Sequence, residues 1–362
     1  MNAADESVAA MFRLGEQFQR NSLQALQSLR GLGDLPVGSS EKSCVHREDK
    51  ISLYRYAPIA RSAGLPPLLI CYAMVNRPYV LDLQPDRSLI RELLSSGIDV
   101  YLLDWGYPDG ADRFTGLHEY VLGYLHRCVE EILNAHAAES LNLLGVCQGG
   151  TLGLCYAALE PRRIANLITM VTPVDFKTPE NLLSKWVQQI DIDLMIRAGN
   201  VSGELLNVAY LGLMPFRLTQ QKYVDLAKMS GDRARLENFA RMERWIFDSP
   251  DQPARAFGEF VKWLFQENRL IKGGLELGGR PVSLQRITQP VLNIYARRDH
   301  LVPPSASIAL GAHIGSTEYS ELAVDVGHIG MYVSAGARTT VSGAIANWLG
   351  ERAHAKRKPE ER

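Results

Sequence analysis

Short unbroken apolar runs, separated by stretches of helical periodicity, organise the first half of the chain. Residues 67–74, 99–105, 141–146, 165–172 and, much later, 290–296 are runs of this kind. A strand reads this way when both of its faces are covered, as in a parallel sheet. Between them, residues 88–96, 119–136 and 151–159 carry the spacing of helices packed on one side. Residues 44–48 and 51–56 read as an entry hairpin, and the run from Tyr319 to Val326 as the last strand. Alternation of strand and helix predicts an α/β fold on a doubly wound, mostly parallel sheet.

That rhythm stops after Pro173. From 176 to 286 the pattern is mainly helical and rich in large apolar side chains: Trp186, Met195, Met214, Phe216, Trp245, Phe247, Phe257, Trp263 and Phe265. Roughly 110 residues are too many for a loop inside a compact domain, so an inserted helical cap over the carboxyl edge of the sheet is expected. Gly273-Gly274 and Gly278-Gly279-Arg280-Pro281 read as tight turns at its end. The domain plan is an arm and linker over 1–43, a core from 44–175 and 287–350, a cap over 176–286, and a charged tail over 351–362. In the arm, Val8, Met11, Phe12, Phe18, Leu23, Leu26 and Leu29 set out an uneven apolar face, broken by Gly31, Gly33 and Pro36. Packing on the core and docking on a partner or surface both remain open for it.

Composition narrows the class. A chain of 362 residues, 46% of them apolar, can bury a full core. Basic and acidic residues number 39 and 40 and are intermixed, leaving a formal charge of −1 and no global field for nucleic acid or an anionic bilayer. The acidic start, Met1-Asn2-Ala3-Ala4-Asp5-Glu6, lacks the basic-then-apolar order of a signal peptide, and no run approaches the roughly 18 apolar residues of a membrane span. The five cysteines (Cys44, Cys71, Cys128, Cys147 and Cys155) are scattered, with no CxxC pair. They read as reduced thiols of a cytosolic protein, not as a disulfide framework or a metal site.

Candidate chemistry centres on Gly145-Val146-Cys147-Gln148-Gly149-Gly150, where an apolar strand turns into a helix with cysteine at the apex. This is the pattern of the nucleophile elbow of an α/β-hydrolase fold, with Cys where most carry Ser. Flanking glycines leave room for backbone that a Cβ would hit, and the following helix start favours a thiolate. An acyl group moved from sulfur to sulfur keeps its transfer potential, so cysteine points to thioester chemistry. Cys155 lacks the glycines and reads as packing.

An elbow needs an acid and a histidine downstream, in that order. Asp299 follows the strand over 290–296, and His328 follows the last strand in Val326-Gly327-His328-Ile329-Gly330. Both lie at strand ends, where sites assemble in open α/β sheets. Asp175 is a rival acid. Asp104 precedes the nucleophile and suits a turn or supporting role, and Asp325 reads as solvated. His300 is a candidate substrate contact, as is Asn76. His118, His126 and His136 lack companions at ligand spacing. The oxyanion hole is expected from the backbone N–H of Gln148 and one from the loop after 67–74, placing Val75 or Asn76 as second donor.

With these residues in place, the chain resembles the polyhydroxyalkanoate synthases, and most of all the catalytic subunit of their class III, two-subunit type. The likeness rests on the elbow and on Val75-Asn76-Arg77-Pro78-Tyr79-Val80-Leu81-Asp82-Leu83, Asp99-Val100-Tyr101-Leu102-Leu103-Asp104-Trp105-Gly106 and Thr172-Pro173-Val174-Asp175-Phe176. It continues in Trp245-Ile246-Phe247-Asp248-Ser249-Pro250, Asp299-His300-Leu301-Val302-Pro303-Pro304 and Gly327-His328-Ile329-Gly330. The resemblance implies a nucleophilic Cys147, a general base His328 and a supporting Asp299. It implies polymerisation of (R)-3-hydroxyacyl-CoA, short-chain units such as 3-hydroxybutyryl-CoA, with release of coenzyme A. No cofactor is implied, because the CoA thioester is substrate. A companion subunit, a homodimer or hetero-oligomer, and a cytoplasmic place at the surface of polyester granules are implied as well. A cysteine hydrolase of the same fold, cleaving a thioester, lactone or polyester, and a non-catalytic granule scaffold are the rival readings. Making polymer instead of free acid requires a dry site, a task expected of the aromatic-rich insertion through Trp186 and Trp245.

Overall fold

The computed structural model describes residue 17 and residues 20–213 and 222–357. Val8, Met11, Phe12, Phe18, Met214, Phe216 and the last five positions of the expected tail lie outside these. The described residues form two compact units: those of Met1–Val37 with Glu204–Ser249, and those of Gly38–Gly203 with Pro250–Arg362. The expected insertion over 176–286 is thus divided, its two ends belonging with the sheet.

In the sheet unit, eight strands run in the order β1-β2-β4-β3-β5-β6-β7-β8. They are β1 (Lys42–Glu48), β2 (Ile51–Tyr56), β3 (Leu68–Cys71), β4 (Val100–Asp104), β5 (Leu141–Val146), β6 (Ile164–Met170), β7 (Val291–Ala296) and β8 (Tyr319–Val324). β2 pairs antiparallel with β1 and β4, and every other pairing is parallel. This is the α/β-hydrolase fold. All residues of β3, β5 and β6 are buried, which is why they read as unbroken apolar runs. The edge strand β1 is mostly exposed and carries Lys42, Arg47 and Glu48, charges that discourage pairing with another chain.

Helix α1 (Leu89–Ser95) is capped by Ser88, whose side chain accepts from the Arg91 N–H. The expected helix over 119–136 forms as a π-helical stretch, Glu119–Leu125, continued by α2 (His126–His136). Helix α3 (Gln148–Leu159) starts directly behind Cys147, three residues before its expected start. Low helix propensity argues against Gly149 and Gly150, but Gly149 is pressed against the Cys71 and Tyr72 backbone and Gly150 against the Thr172 side chain, and neither position has room for a Cβ. α3 is buried on nearly every side, as befits the central helix beneath the elbow. The ends of the expected insertion join this unit through aromatic packing: Phe176 stacks edge-on against Phe260 and Phe265, with ring centroids 5.9 and 4.8 Å away. Gly278 and Gly279 form the turn of a two-stranded hairpin, Glu276–Leu277 with Arg280–Pro281.

In the other unit residues 20–30 of the N-terminal arm form a helix. It buries Ala25 against Leu226 and Leu236, with Leu29, Leu32, Met229 and Phe239 around them. Leu23 and Leu26, expected on the packed face, point outward, 61% and 47% exposed. The helical repeat places Ala25 and Leu29 on one stripe and rotates Leu23 and Leu26 off it. Arg244 donates to Asp34 Oδ1 and Arg241 to the Pro36 carbonyl, tying down the chain that follows the arm helix. Trp245 is buried in this unit, while Trp186, in the sheet unit, is 40% exposed. Among the described residues no helix is long and apolar enough to cross a membrane.

Candidate active site

β5 ends at Val146, and Cys147 turns the chain with φ 54° and ψ −126°, a conformation that L side chains rarely adopt. The elbow is held from several directions. Cys147 N–H donates to the Met170 carbonyl at 2.9 Å, and the Cys147 carbonyl accepts from Gly150 N–H at 2.9 Å. A Cβ on Gly145 would fall within 3.0 Å of Gly150, one on Gly149 against the Cys71 and Tyr72 carbonyls, and one on Gly150 against Thr172. The three glycines therefore let α3 lie close to the ends of β3, β5 and β6. Such confinement stores strain at the apex, of order 1–3 kcal/mol, and pushes the cysteine side chain out of the turn.

Cys147 is half-buried and Cys44 exposed, whereas Cys71, Cys128 and Cys155 are buried. Burial raises all three buried thiols, those of Cys128 and Cys155 to about 12, so they stay protonated and inert.

His328 and Asp299 meet above the ends of β7 and β8. The two strands keep pairing past their ends: Arg297 N–H donates to the Val324 carbonyl at 2.8 Å and Arg298 N–H to the Val326 carbonyl at 3.0 Å. This sets the turn carrying Asp299 beside the turn carrying His328. His328 Nδ1 lies 2.7 Å from Asp299 Oδ2, and both side chains are nearly inaccessible. Asp299 Oδ1 accepts from the backbone N–H groups of Leu301 and Val302, each at 2.9 Å. The carboxylate is thereby fixed, Nδ1–H donates to it, and Nε2 is left for the sulfur. The Cys147 sulfur stands close enough to the His328 ring to act on its charge.

Burial disfavours charge on the ring, but the Asp299 carboxylate and the Cys147 sulfur outweigh it, and His328 is pushed up to about 10. A raised value means the folded protein holds a proton that the unfolded chain releases near its ordinary pKa of about 6.5. This contribution to stability is complete below that pH and is lost as pH rises towards 10. Unfolding free energies from denaturant titrations between pH 6.5 and 10 are therefore expected to fall more steeply for the parent than for His328→Gln, by up to about 1.4 kcal/mol per pH unit. Parallel slopes would refute it.

The loop after β3 closes over the elbow. Met74 N–H donates to Gln148 Oε1 at 3.0 Å, and the Met74 carbonyl accepts from Gln252 Nε2 at 3.0 Å. Val75 and Asn76 follow, half-buried, with Asn76 at φ 57°. As the first residue of α3, Gln148 has no carbonyl four residues back to receive its N–H within the helix. Tyr72 and Tyr332 pack edge-to-face with ring centroids 6.4 Å apart, and Tyr332 packs in the same way on His328 at 6.3 Å. Burial keeps the Tyr332 phenol protonated, hydrogen-bonded to Tyr72. These rings give the sulfur and imidazole a dry, largely aromatic wall.

Other candidates have other partners. Asp175 Oδ1 accepts from Lys177 N–H and Asn268 Nδ2, while the ring of His328 is taken by Asp299. Asp104 pairs with Arg77 at 2.7 Å. Asp325 is exposed and pairs with Arg298. His300, half-buried, follows Asp299 on the same turn. His126 meets the Tyr156 hydroxyl and His136 the Tyr101 hydroxyl. His118 lies against Gly278. Two features were missed from the sequence: the Gln148 side chain as a strut for the β3 loop, and Arg77 as the partner of Asp104. The signal for Arg77 was its place in Asn76-Arg77-Pro78-Tyr79, a string without chemistry until its target is known.

A family model described as alpha/beta hydrolase fold matches residues 66–335, and one described as Poly-beta-hydroxybutyrate polymerase (PhaC) N-terminus matches residues 31–93. The chain is 52% identical over 341 residues to the Poly(3-hydroxyalkanoate) polymerase subunit PhaC of Allochromatium vinosum, covering 92% of this chain and 95% of that protein. It is 51% identical to the protein of the same name from Thiocystis violacea, covering 91% and 93%, and 47% identical to that of Synechocystis sp., covering 92% and 91%. Among solved structures, a monoacylglycerol lipase from Paleococcus ferrophilus superposes with a TM-score of 0.51 at 19% identity, covering 83% of this chain and 98% of the lipase. At that identity the likeness speaks for the fold alone.

Proposed function

With the chain a member of the PhaC-type poly(3-hydroxyalkanoate) polymerases, acyltransferases built on the α/β-hydrolase fold, we propose that Cys147, His328 and Asp299 carry out the polymerisation. The support is the strained apex at Cys147, whose sulfur acts electrostatically on the His328 ring, and the bond from that ring to a carboxylate held by two backbone N–H groups.

The Cys147 thiolate attacks the thioester carbonyl of a short-chain (R)-3-hydroxyacyl-CoA, its proton resting on His328. The carbonyl oxygen becomes an oxyanion facing the backbone N–H of Gln148 and that of Val75. As the tetrahedral intermediate collapses, the bond to the coenzyme A sulfur breaks and His328 returns the proton to it. A hydroxyl of the next unit or of the growing chain then gives its proton to His328 and attacks the acyl-cysteine. An ester bond forms, and the Cys147 thiolate leaves. Asp299 stabilises the imidazolium in both halves. Asn76 and His300, on the loops beside the sulfur, are the proposed contacts for the substrate. No cofactor enters the cycle.

Relatives named as a polymerase subunit support a companion subunit for this chain; the class III arrangement and a place at the surface of a polyester granule in the cytoplasm belong to the same reading. The test is incubation of the full chain with 3-hydroxybutyryl-CoA, alone and with a companion subunit. Coenzyme A released together with insoluble polyester is the expected result. Coenzyme A released with an equal amount of free 3-hydroxybutyrate would favour a hydrolase.

A further inference from the structure

The loop proposed to supply the second oxyanion donor is clamped from its far side. Arg77 Nη1 donates to the Gly106 carbonyl at 2.6 Å and Nη2 to Asp104 Oδ2 at 2.7 Å. Asp104 Oδ1 in turn accepts from Gly106 N–H at 2.9 Å, so guanidinium, carboxylate and turn close into one ring of contacts. The guanidinium also lies over the Tyr107 ring, 4.1 Å from its centroid. The two charged side chains are only 11% and 13% exposed. The neighbouring Trp105 Nε1 donates to the Tyr72 carbonyl at 2.9 Å, so the turn after β4 grips the loop near both of its ends. Gly106 has φ 74°, and a Cβ there would strike the Lys50 backbone, so this turn cannot slide.

A pair this dry contributes little net stability, since desolvation offsets most of the attraction. What a forked guanidinium sets is direction as well as distance. The residues between the two grips are those from Ala73 to Asn76. They include Val75, and Met74, which is bonded to Gln148.

We propose that Arg77, anchored by Asp104 and the Gly106 carbonyl, is a positioning residue that aims the Val75 N–H at the oxyanion. This rests on the reading of Cys147 as the nucleophile at a thioester carbonyl. Arg77 does not touch substrate; it holds the backbone that does. Lysine keeps the charge at this position but cannot bridge carbonyl and carboxylate in one plane.

The test uses the full chain with 3-hydroxybutyryl-CoA and the variants Arg77→Lys, Arg77→Met and Asp104→Asn. Coenzyme A release is compared with the rate at which iodoacetamide alkylates Cys147, a displacement that needs the thiolate and forms no oxyanion. In Arg77→Met, coenzyme A release is expected to fall about 100-fold, as for loss of one oxyanion donor. KM should move little and alkylation should stay near the parent rate. Arg77→Lys should lie between Arg77→Met and the parent. Turnover close to the parent's in Arg77→Met overturns the proposal, and so does alkylation falling in step with turnover. If Arg77→Met does not fold, Asp104→Asn breaks the same fork with little change of volume; loss of the fold in both makes the pair a stability element and also overturns it. Cys147→Ala, run alongside, separates the two ideas, because residual turnover in that variant would remove the nucleophile assignment itself.

Discussion

Replacing Cys147 by Ala is expected to abolish coenzyme A release from 3-hydroxybutyryl-CoA, a loss of at least about 10⁴-fold, because the attacking atom is gone and water must act unaided. No other thiol takes over. Cys71, Cys128 and Cys155 are buried and held protonated, and Cys44 lies on the edge strand β1, where its sulfur approaches the His46 carbonyl. The acyl adduct found by mass spectrometry on the parent after brief exposure to substrate is expected on the peptide containing Cys147 and nowhere else. The variant should fold normally, since alanine keeps the Cβ in the turn. Cys147→Gly should be more stable than Cys147→Ala by about 1 kcal/mol, because glycine accepts φ 54° without strain. An adduct on a different residue, or turnover within tenfold of the parent, would sink the assignment.

Gly149→Ala should be the most damaging small substitution in the elbow. The added methyl would meet the Cys71 and Tyr72 carbonyl oxygens, which are backbone atoms at the end of β3. Cys71 is in register with Leu103 on one side and Gly145 on the other, so β3 cannot retreat without disturbing two ladders. The start of α3 has to move instead, taking Cys147 and the Gln148 N–H with it. A displacement near 1 Å at such a site costs about 100-fold in rate, and the overpacking costs about 1–3 kcal/mol of stability. Gly343→Ala is the control: that glycine lies inside the helix Ala335–Arg357 with open space where its Cβ would stand. There the same change should be neutral or stabilising by up to about 1 kcal/mol, from helix propensity alone. Paired measurements of denaturation midpoint and coenzyme A release decide it, and equal effects of the two substitutions would refute it.

Much of this protein was legible in one dimension. Unbroken apolar runs declare strands covered on both faces, because burial on two sides leaves no polar alternation. Cys147 between Gly145 and Gly149 declares a tight strand-to-helix turn, because such a turn needs two missing side chains around its apex. The chain order of Cys147, Asp299 and His328 named residues that the fold then brings together. Tertiary structure alone decided the rest. Whether His328 meets Asp299 or Asp175 depends on strand order, which places β7 beside β8 and so joins two turns far apart in the chain. The grip of Arg77 on Asp104 and Gly106 depends on β3 and β4 being neighbours, which no local pattern records. The face that the N-terminal helix buries carries Ala25 and Leu29 and meets Leu226 and Leu236, partners that lie about 200 residues away in the chain. Local pattern reports how a residue meets solvent and its sequence neighbours; which distant partner it meets is settled only when the sheet assembles.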